Sequence, residues 1–335
     1  MKILLLGGNG QVGWELQRSL APLGTLEICD RKRADMTRPD EVAELVQRCR
    51  PDVIVNAAAY TAVDQAESDR ETAQQVNAFA VGMLAEQARA LGALLVHYST
   101  DYVFDGTERG PQTEAVRPRP LNVYGATKLE GEELIRASRC RHLILRTSWV
   151  YATRGHNFAK TMLRLASERD ELRVVSDQIG APTSAELIAD VTALVIQQMQ
   201  HNPELALKAG GTYHLVANGH TSWFEFARFV IGTAADLGMQ FKVTCSRILP
   251  IRAAEFPATA LRPANSRLDA RKLQHVFDLQ LPRWEYHASR MLQEIVPVEI
   301  AARAAREDLE AAIRYAGRSS QLAPSDTQTR VPHES

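Results

Sequence analysis

Ile3-Leu4-Leu5-Leu6-Gly7-Gly8-Asn9-Gly10-Gln11-Val12-Gly13 sets a four-residue apolar run directly against glycines spaced Gly7-x-x-Gly10-x-x-Gly13. The run is continuous rather than alternating, as in a strand covered on both faces. The glycines allow a tight turn, close approach of a pyrophosphate to the backbone, and close helix–strand packing. Apolar residues then recur at helical spacing: Val12, Leu16, Leu20 and Leu23. A helix opening at Gln11 and Val12 aims its free N–H groups and positive dipole end at phosphates. Glycines between a first strand and a first helix are the context a dinucleotide fingerprint requires.

The same rhythm continues outward. Thr25–Cys29, 53–55, 94–97 and 143–145 read as strands. Residues 40–48 and 72–91 read as helices. This alternation predicts an α/β fold: a Rossmann-type doubly wound parallel sheet with a smaller α/β substrate-binding lobe. The expected division is 1–150 for the dinucleotide domain, with later segments crossing back into it, and 151–298 mainly for the substrate lobe. A C-terminal helix over 299–315 and a polar, disordered end over 317–335 complete it. Residues 101–122 carry Gly106, Gly110, Pro111, Pro118 and Pro120, and read as an active-site wall.

Composition narrows the functional classes. The 335 residues are 45% hydrophobic and 24% charged with net charge −1, which argues against general disorder, a nucleic-acid partner and a strong membrane field. Cys29, Cys49, Cys140 and Cys245 are scattered, without the spacing of a disulfide framework or zinc site. No stretch approaches the ~20 apolar residues of a membrane span. A soluble cytoplasmic protein is expected.

Further residues extend the dinucleotide site. Asp30, ending the second strand, suits ribose hydroxyls and hence NADH, but Arg31, Lys32 and Arg33 suit a 2′-phosphate and hence NADPH. Both cofactors stay open. Asp35 and Met36 are assigned near the adenosine. Ala59, Tyr60 and Thr61, after Asn56-Ala57-Ala58, are assigned to the cofactor floor, and Tyr98 to the same site.

The chemistry falls to Tyr124-Gly125-Ala126-Thr127-Lys128, whose i, i+4 spacing puts Tyr124 and Lys128 on one helix face. A nearby ammonium is expected to lower the tyrosine pKa. Lys128 can also bond the nicotinamide ribose. Ser99-Thr100-Asp101 ends a strand where α/β ligands bind. Thr100 is expected to bond the substrate carbonyl and Asp101 to orient substrate hydroxyls.

These motifs, with Ser99–Phe104, resemble the extended short-chain dehydrogenase/reductases. The stretches 53–67, 121–128, 146–151, 157–166 and 177–186 resemble the dTDP-4-dehydrorhamnose reductase family within them. The similarity runs from Met1 to about Val296. It implies reduction of the 4-keto group of dTDP-4-dehydro-L-rhamnose, giving dTDP-L-rhamnose for cell-surface glycans. Tyr124 would donate the proton, assisted by Lys128 and Thr100. It also implies Trp149 walling the sugar pocket, Arg262 and the following Pro263-x-Asn265-Ser266 near the diphosphate, and a homodimer. Glu15, Glu186 and Glu294 match the family's Mg2+ ligands at the dimer interface. Two alternatives compete. One is a nucleotide-sugar epimerase or dehydratase, but a dehydratase places Asp-Glu after the Thr, whereas Thr100 is followed by Asp101-Tyr102. The other is a regulatory subunit of methionine adenosyltransferase, against which the full Thr100, Tyr124 and Lys128 set argues.

Overall fold

In the computed structural model of the chain, residues 1–320 are described. Six strands form one parallel sheet: β1 (Lys2–Leu6), β2 (Thr25–Cys29), β3 (Val53–Asn56), β4 (Leu94–Thr100), β5 (Arg141–Thr147) and β6 (Gly211–His214). Their order is β6-β5-β4-β3-β1-β2. Every residue of β3 and β4 is buried, which explains why these strands carry apolar runs without polar alternation.

Alternate strand residues feed two cores. Ile3, Leu5, Val53 and Val55 pack under α1 (Gln11–Leu20). Leu4, Leu6 and Ile54 point the other way, against α2 (Pro39–Cys49) and α3, which spans 70–91 with a π turn at Gln75–Phe79. That second face also carries α4 (Val123–Ser138), whose Ile135 joins its core. The first face is completed by α5 (Ala185–His201), a long run of buried apolar residues packed against α1. The chain therefore leaves the large sheet after β5 and returns to it for α5 and β6.

β2 and β3 flank β1 on opposite sides. Winding reverses there, and the crevice beyond the strand ends is where ligands bind in sheets of this kind. Beyond β5, Leu172–Val175 pairs in parallel with Ile248–Ile251. Helices Phe158–Glu168 and Trp223–Asp236 enclose a separate small core of Met162, Ala166, Ala227 and Ile231.

The expected helix over 299–315 is the distal part of a single helix, α6 (Trp284–Ser320), with Pro297 inside it. Residues 317–320, read from sequence as disordered, belong to this helix, because a run of helix-forming residues propagates through the solitary proline. The rest of that expectation, 321–335, lies outside the described residues. Among the described residues, no helix is long and apolar enough to cross a membrane.

Candidate active site

The β1/β3 crevice opens into a cleft of about 670 Å3, lined by Gly7, Gly10, Asp30, Asp35, Met36, Ala59, Tyr60 and Thr61 among others. Its floor is backbone. Gly7 has φ +77°, and a Cβ there would lie 2.6 Å from the Ala58 nitrogen. Only glycine lets the turn lie this close to the end of β3. Gly10 caps α1 without a side-chain hydrogen bond, leaving the first-turn N–H groups for a ligand. The shape and donor set fit a dinucleotide.

The rim is polar. Asp30 accepts from Asn9 Nδ2 at 3.0 Å and from the Lys32 and Arg33 amides. Arg33 is committed to Glu27 and the Ile28 carbonyl, while Arg31 lies 3.6 Å from Asp35. The Thr37 amide holds the Asp35 carboxyl below the usual range. Gln11 accepts from Asn157 of the smaller lobe at 3.0 Å, and Val12 packs on the core; neither side chain lines the cleft.

Tyr124 and Lys128 open α4. Asn122 caps that helix by accepting from the Gly125 N–H at 2.7 Å, and its amide reaches the Leu261 carbonyl. Gly125 is required by contact: a Cβ would sit 2.1 Å from the Tyr102 carbonyl oxygen. This approach presses the Tyr124 ring edge-on against Tyr102, 5.8 Å between centroids. The Thr100 hydroxyl lies near enough to the Tyr124 phenol to act on its pKa, while it donates to Asp101 Oδ1 at 3.1 Å and accepts from the Tyr102 N–H at 3.1 Å.

The expected depression of the tyrosine pKa is not what the structure has. Burial pushes Tyr124 up to about 12, Thr100 opposes this, and Asp101 adds to it. The reason is where Lys128 points. Its Nζ donates to the Tyr98 carbonyl at 2.6 Å and meets His97 Nε2 at 3.1 Å. Burial pushes Lys128 down to about 8, against the pull of Glu132.

Beneath the pair lies a buried ionic knot. Glu132, one turn beyond Lys128, accepts from Arg146 at 2.8 and 2.6 Å and from the Ser99 hydroxyl at 2.6 Å. Both charged residues are buried. The helix α4 is thus tied to β5 and to the residue preceding Thr100. Asp101 is buried as well. Burial pushes its carboxyl up to about 7, opposed by the Ser266 and Thr100 hydroxyls, and its Oδ2 has no hydrogen-bond partner.

Several expected residues stand elsewhere. The Tyr98 side chain does not reach the cleft: alternation along β4 turns it to the α5 face, where its hydroxyl meets Thr192 at 2.8 Å. Only its carbonyl joins the site. Arg262, expected near the diphosphate, is paired with Asp64 at 2.6 Å. Asn265 instead donates to the carbonyls of Glu108 and Gly110, pinning the loop 101–122. Trp149, at φ +50°, stacks on Trp223 with centroids 3.5 Å apart and presses against Gly180.

Glu15, Glu186 and Glu294 do share one surface, close enough for the latter two to raise the Glu15 carboxyl pKa further, after burial. Arg290 lies among them, 3.0 Å from Glu186 and 3.7 Å from Glu294. A guanidinium already answers these carboxylates, and among the described residues no acidic, histidine or cysteine cluster has metal-holding geometry. The residues of one chain do not fit Mg2+.

The residue reading missed Asn56, Asn77, His97, Glu132 and Arg146 as site residues. Asn77 bonds both the Tyr60 backbone and Thr127, linking the cleft wall to α4. A histidine inside an otherwise apolar strand, just before Ser99-Thr100, was the available signal for His97.

Known proteins resemble the chain over most of its length. The family model described as RmlD substrate binding domain matches residues 1–296. A dTDP-4-dehydrorhamnose reductase of Salmonella typhimurium is 52% identical over 299 residues, covering 88% of this chain and 98% of the relative. That of Escherichia coli strain K12 is 50% identical with the same coverage. Among solved structures, dTDP-4-dehydrorhamnose reductase of Bacillus anthracis in complex with NADP matches with TM-score 0.78 and 38% identity, over 88% of this chain and 99% of that one.

Proposed function

Since the chain belongs to the RmlD substrate binding domain family, we propose that it reduces the 4-keto group of dTDP-4-dehydro-L-rhamnose to give dTDP-L-rhamnose, using NADH or NADPH. The observation that carries this reading is that Tyr124 and Lys128 open the helix whose Thr127 is tied through Asn77 to the Tyr60 wall of the dinucleotide cleft.

A bound reduced nicotinamide supplies hydride to the carbonyl carbon. Tyr124 donates its phenolic proton to the forming alkoxide. A tyrosine pKa of about 12 keeps the proton in place at neutral pH, and an alkoxide is a strong enough base to take it. Thr100 hydrogen-bonds the same oxygen before transfer. Lys128, swung from the Tyr98 carbonyl toward the ribose and phenol, stabilises the phenolate that remains. Asp101, with an unpartnered Oδ2, accepts from a sugar hydroxyl. Trp149 offers an aromatic wall held by Trp223. Tyr102 stands where a dehydratase would need a second acid–base carboxylate, which favours simple reduction.

A homodimer acting in the cytoplasm belongs to the same proposal. Mg2+ would require a second copy to displace Arg290 from Glu186, and metal analysis of the gel-filtered chain with and without chelator tests that. For the reaction, the sugar nucleotide is mixed with NADH and with NADPH side by side, and reduced-nicotinamide absorbance is followed. Cofactor oxidation coupled to dTDP-L-rhamnose formation is expected. No oxidation with either cofactor overturns the reading.

A further inference from the structure

β3 and β4 pair so that Asn56 lies opposite His97. The Ala58 N–H donates to Asn56 Oδ1 at 3.1 Å. That turns the amide nitrogen, Nδ2, toward His97 Nδ1 at 3.1 Å. An amide nitrogen only donates, so Nδ1 must accept and the ring proton sits on Nε2. Flipping the amide would set Nδ2 against the Ala58 N–H, donor to donor, so the backbone fixes the orientation.

His97 Nε2 then presents an N–H to Lys128 Nζ at 3.1 Å. An ammonium has three N–H bonds and no lone pair, and would oppose it. A neutral amine accepts from Nε2–H and still donates to the Tyr98 carbonyl. One assignment satisfies every group: Ala58 to Asn56, Asn56 to His97, His97 to Lys128, Lys128 to Tyr98.

We propose that His97 is a positioning residue that holds Lys128 as a neutral amine in the dinucleotide-free protein at mildly alkaline pH, and that Lys128 then takes up one proton from solvent when dinucleotide binding draws it from the ring. The uptake rests on reading the cleft as a dinucleotide site. The chain of bonds begins at that site, because Ala57 and Ala58 form the floor beneath Gly7. Burial acts in the same direction, pushing Lys128 down to about 8. Burial, the largest cause, holds His97 well below its ordinary value, so the ring does not become a cation beside a neutral Lys128.

Above about pH 8 the surrounding charges do not restore an ammonium. From β3, the pair meets only the amide of Asn56; from β4, only His97 and the Tyr98 carbonyl. From α4 comes Glu132, which is answered by Arg146 of β5 and by Arg136. Among the described residues, no hydrogen bond or ion pair joins Lys128 to a carboxylate.

The first test needs no ligand. Nitrogen-15 NMR of the histidine-labelled chain at pH 9, with His97 identified by its absence in His97→Gln, reads which ring nitrogen is protonated. A neutral ring with the proton on Nε2 is expected; a proton on Nδ1 or an imidazolium overturns the proposal. The second test is calorimetry of NADPH and NADH binding at pH 9 in two buffers of different ionisation enthalpy. Uptake approaching one proton per chain is expected, lost in Lys128→Met; binding without uptake overturns the proposal. A chain that binds neither dinucleotide removes the cleft reading and the uptake together, while the ring-proton result still judges the His97 wiring. In His97→Gln, a side-chain oxygen can accept from an ammonium. Uptake at pH 9 should then fall, and the alkaline limb of binding should move up by about one pH unit. A uniform weakening with an unshifted limb would mean a merely structural role and overturn the assignment.

Discussion

At the β1/β3 end of the sheet, the cleft is walled by backbone and small side chains: Gly7 against Ala58, and the uncapped start of α1. At the β4/β5 end, the site is built from buried polar side chains bonded across strands, with Asn56 to His97, His97 to Lys128, and Ser99 and Arg146 to Glu132. The first end binds by shape and N–H donors, and its charged side chains stay in water. The second fixes atoms by desolvated pairs, each of which is costly to leave half-made. Substitutions should therefore act differently at the two ends.

The largest effect belongs to the proton donor. Tyr124→Phe removes one hydroxyl and keeps the ring against Tyr102. Turnover should fall roughly 10²–10⁴-fold, with dinucleotide affinity by calorimetry nearly unchanged. A loss below tenfold would remove Tyr124 from the proton-donor role. A loss of dinucleotide affinity instead would mean that the two ends are not separable.

Next comes the knot beneath it. Glu132→Leu leaves Arg146 charged in a buried site, and breaking one partner of such a pair costs roughly 3–5 kcal/mol. The unfolding midpoint should drop by roughly 10 °C. The double change Glu132→Leu with Arg146→Met should recover much of that, because the lone charge is gone. Equal losses in single and double variants would show that the pair is not the structural unit.

The same contrast explains what could be read before the structure. Residues 3–13 announce β1, the turn and α1, because that end is encoded locally in spacing and glycine. Tyr124 and Lys128 are likewise four residues apart on one helix. The knot is not local: Glu132 of α4 meets Arg146 of β5, and Asn56 meets His97 only through the β3–β4 register. Strand alternation was also what sent Tyr98 away from the cleft, a fact that the short apolar run around it did not reveal. The long reach of α6 was hidden by Pro297, which usually ends a helix but here does not.

Burial at the β4 end also makes stability depend on pH. Asp101 has a folded pKa of about 7, above its unfolded value near 3.9. Its contribution to stability is therefore fully present below about pH 4 and lost as pH rises through about 7. Asp101→Asn removes that dependence. The melting difference between variant and wild type should shift by several degrees in the variant's favour between pH 4 and pH 8. A difference that stays flat would mean the Asp101 carboxylate is solvated in the folded chain.

The smallest effect tests the other end. Asp30 is half-buried at the cleft rim, and its carboxylate accepts from Asn9 and from two amides of the turn that follows β2. Asp30→Asn keeps an oxygen for those amides but removes the negative charge beside Arg31 and Lys32. A 2′-phosphate then meets a more positive rim, and a ribose hydroxyl loses its charged acceptor. The ratio of kcat/KM for NADPH over NADH should rise about tenfold, corresponding to about 1.4 kcal/mol. The melting temperature should hardly move, since no buried pair is broken. If the cofactor ratio stays fixed while stability falls by several degrees, Asp30 matters for the turn rather than the ligand, and the cleft depends on its side chains as much as the catalytic end does.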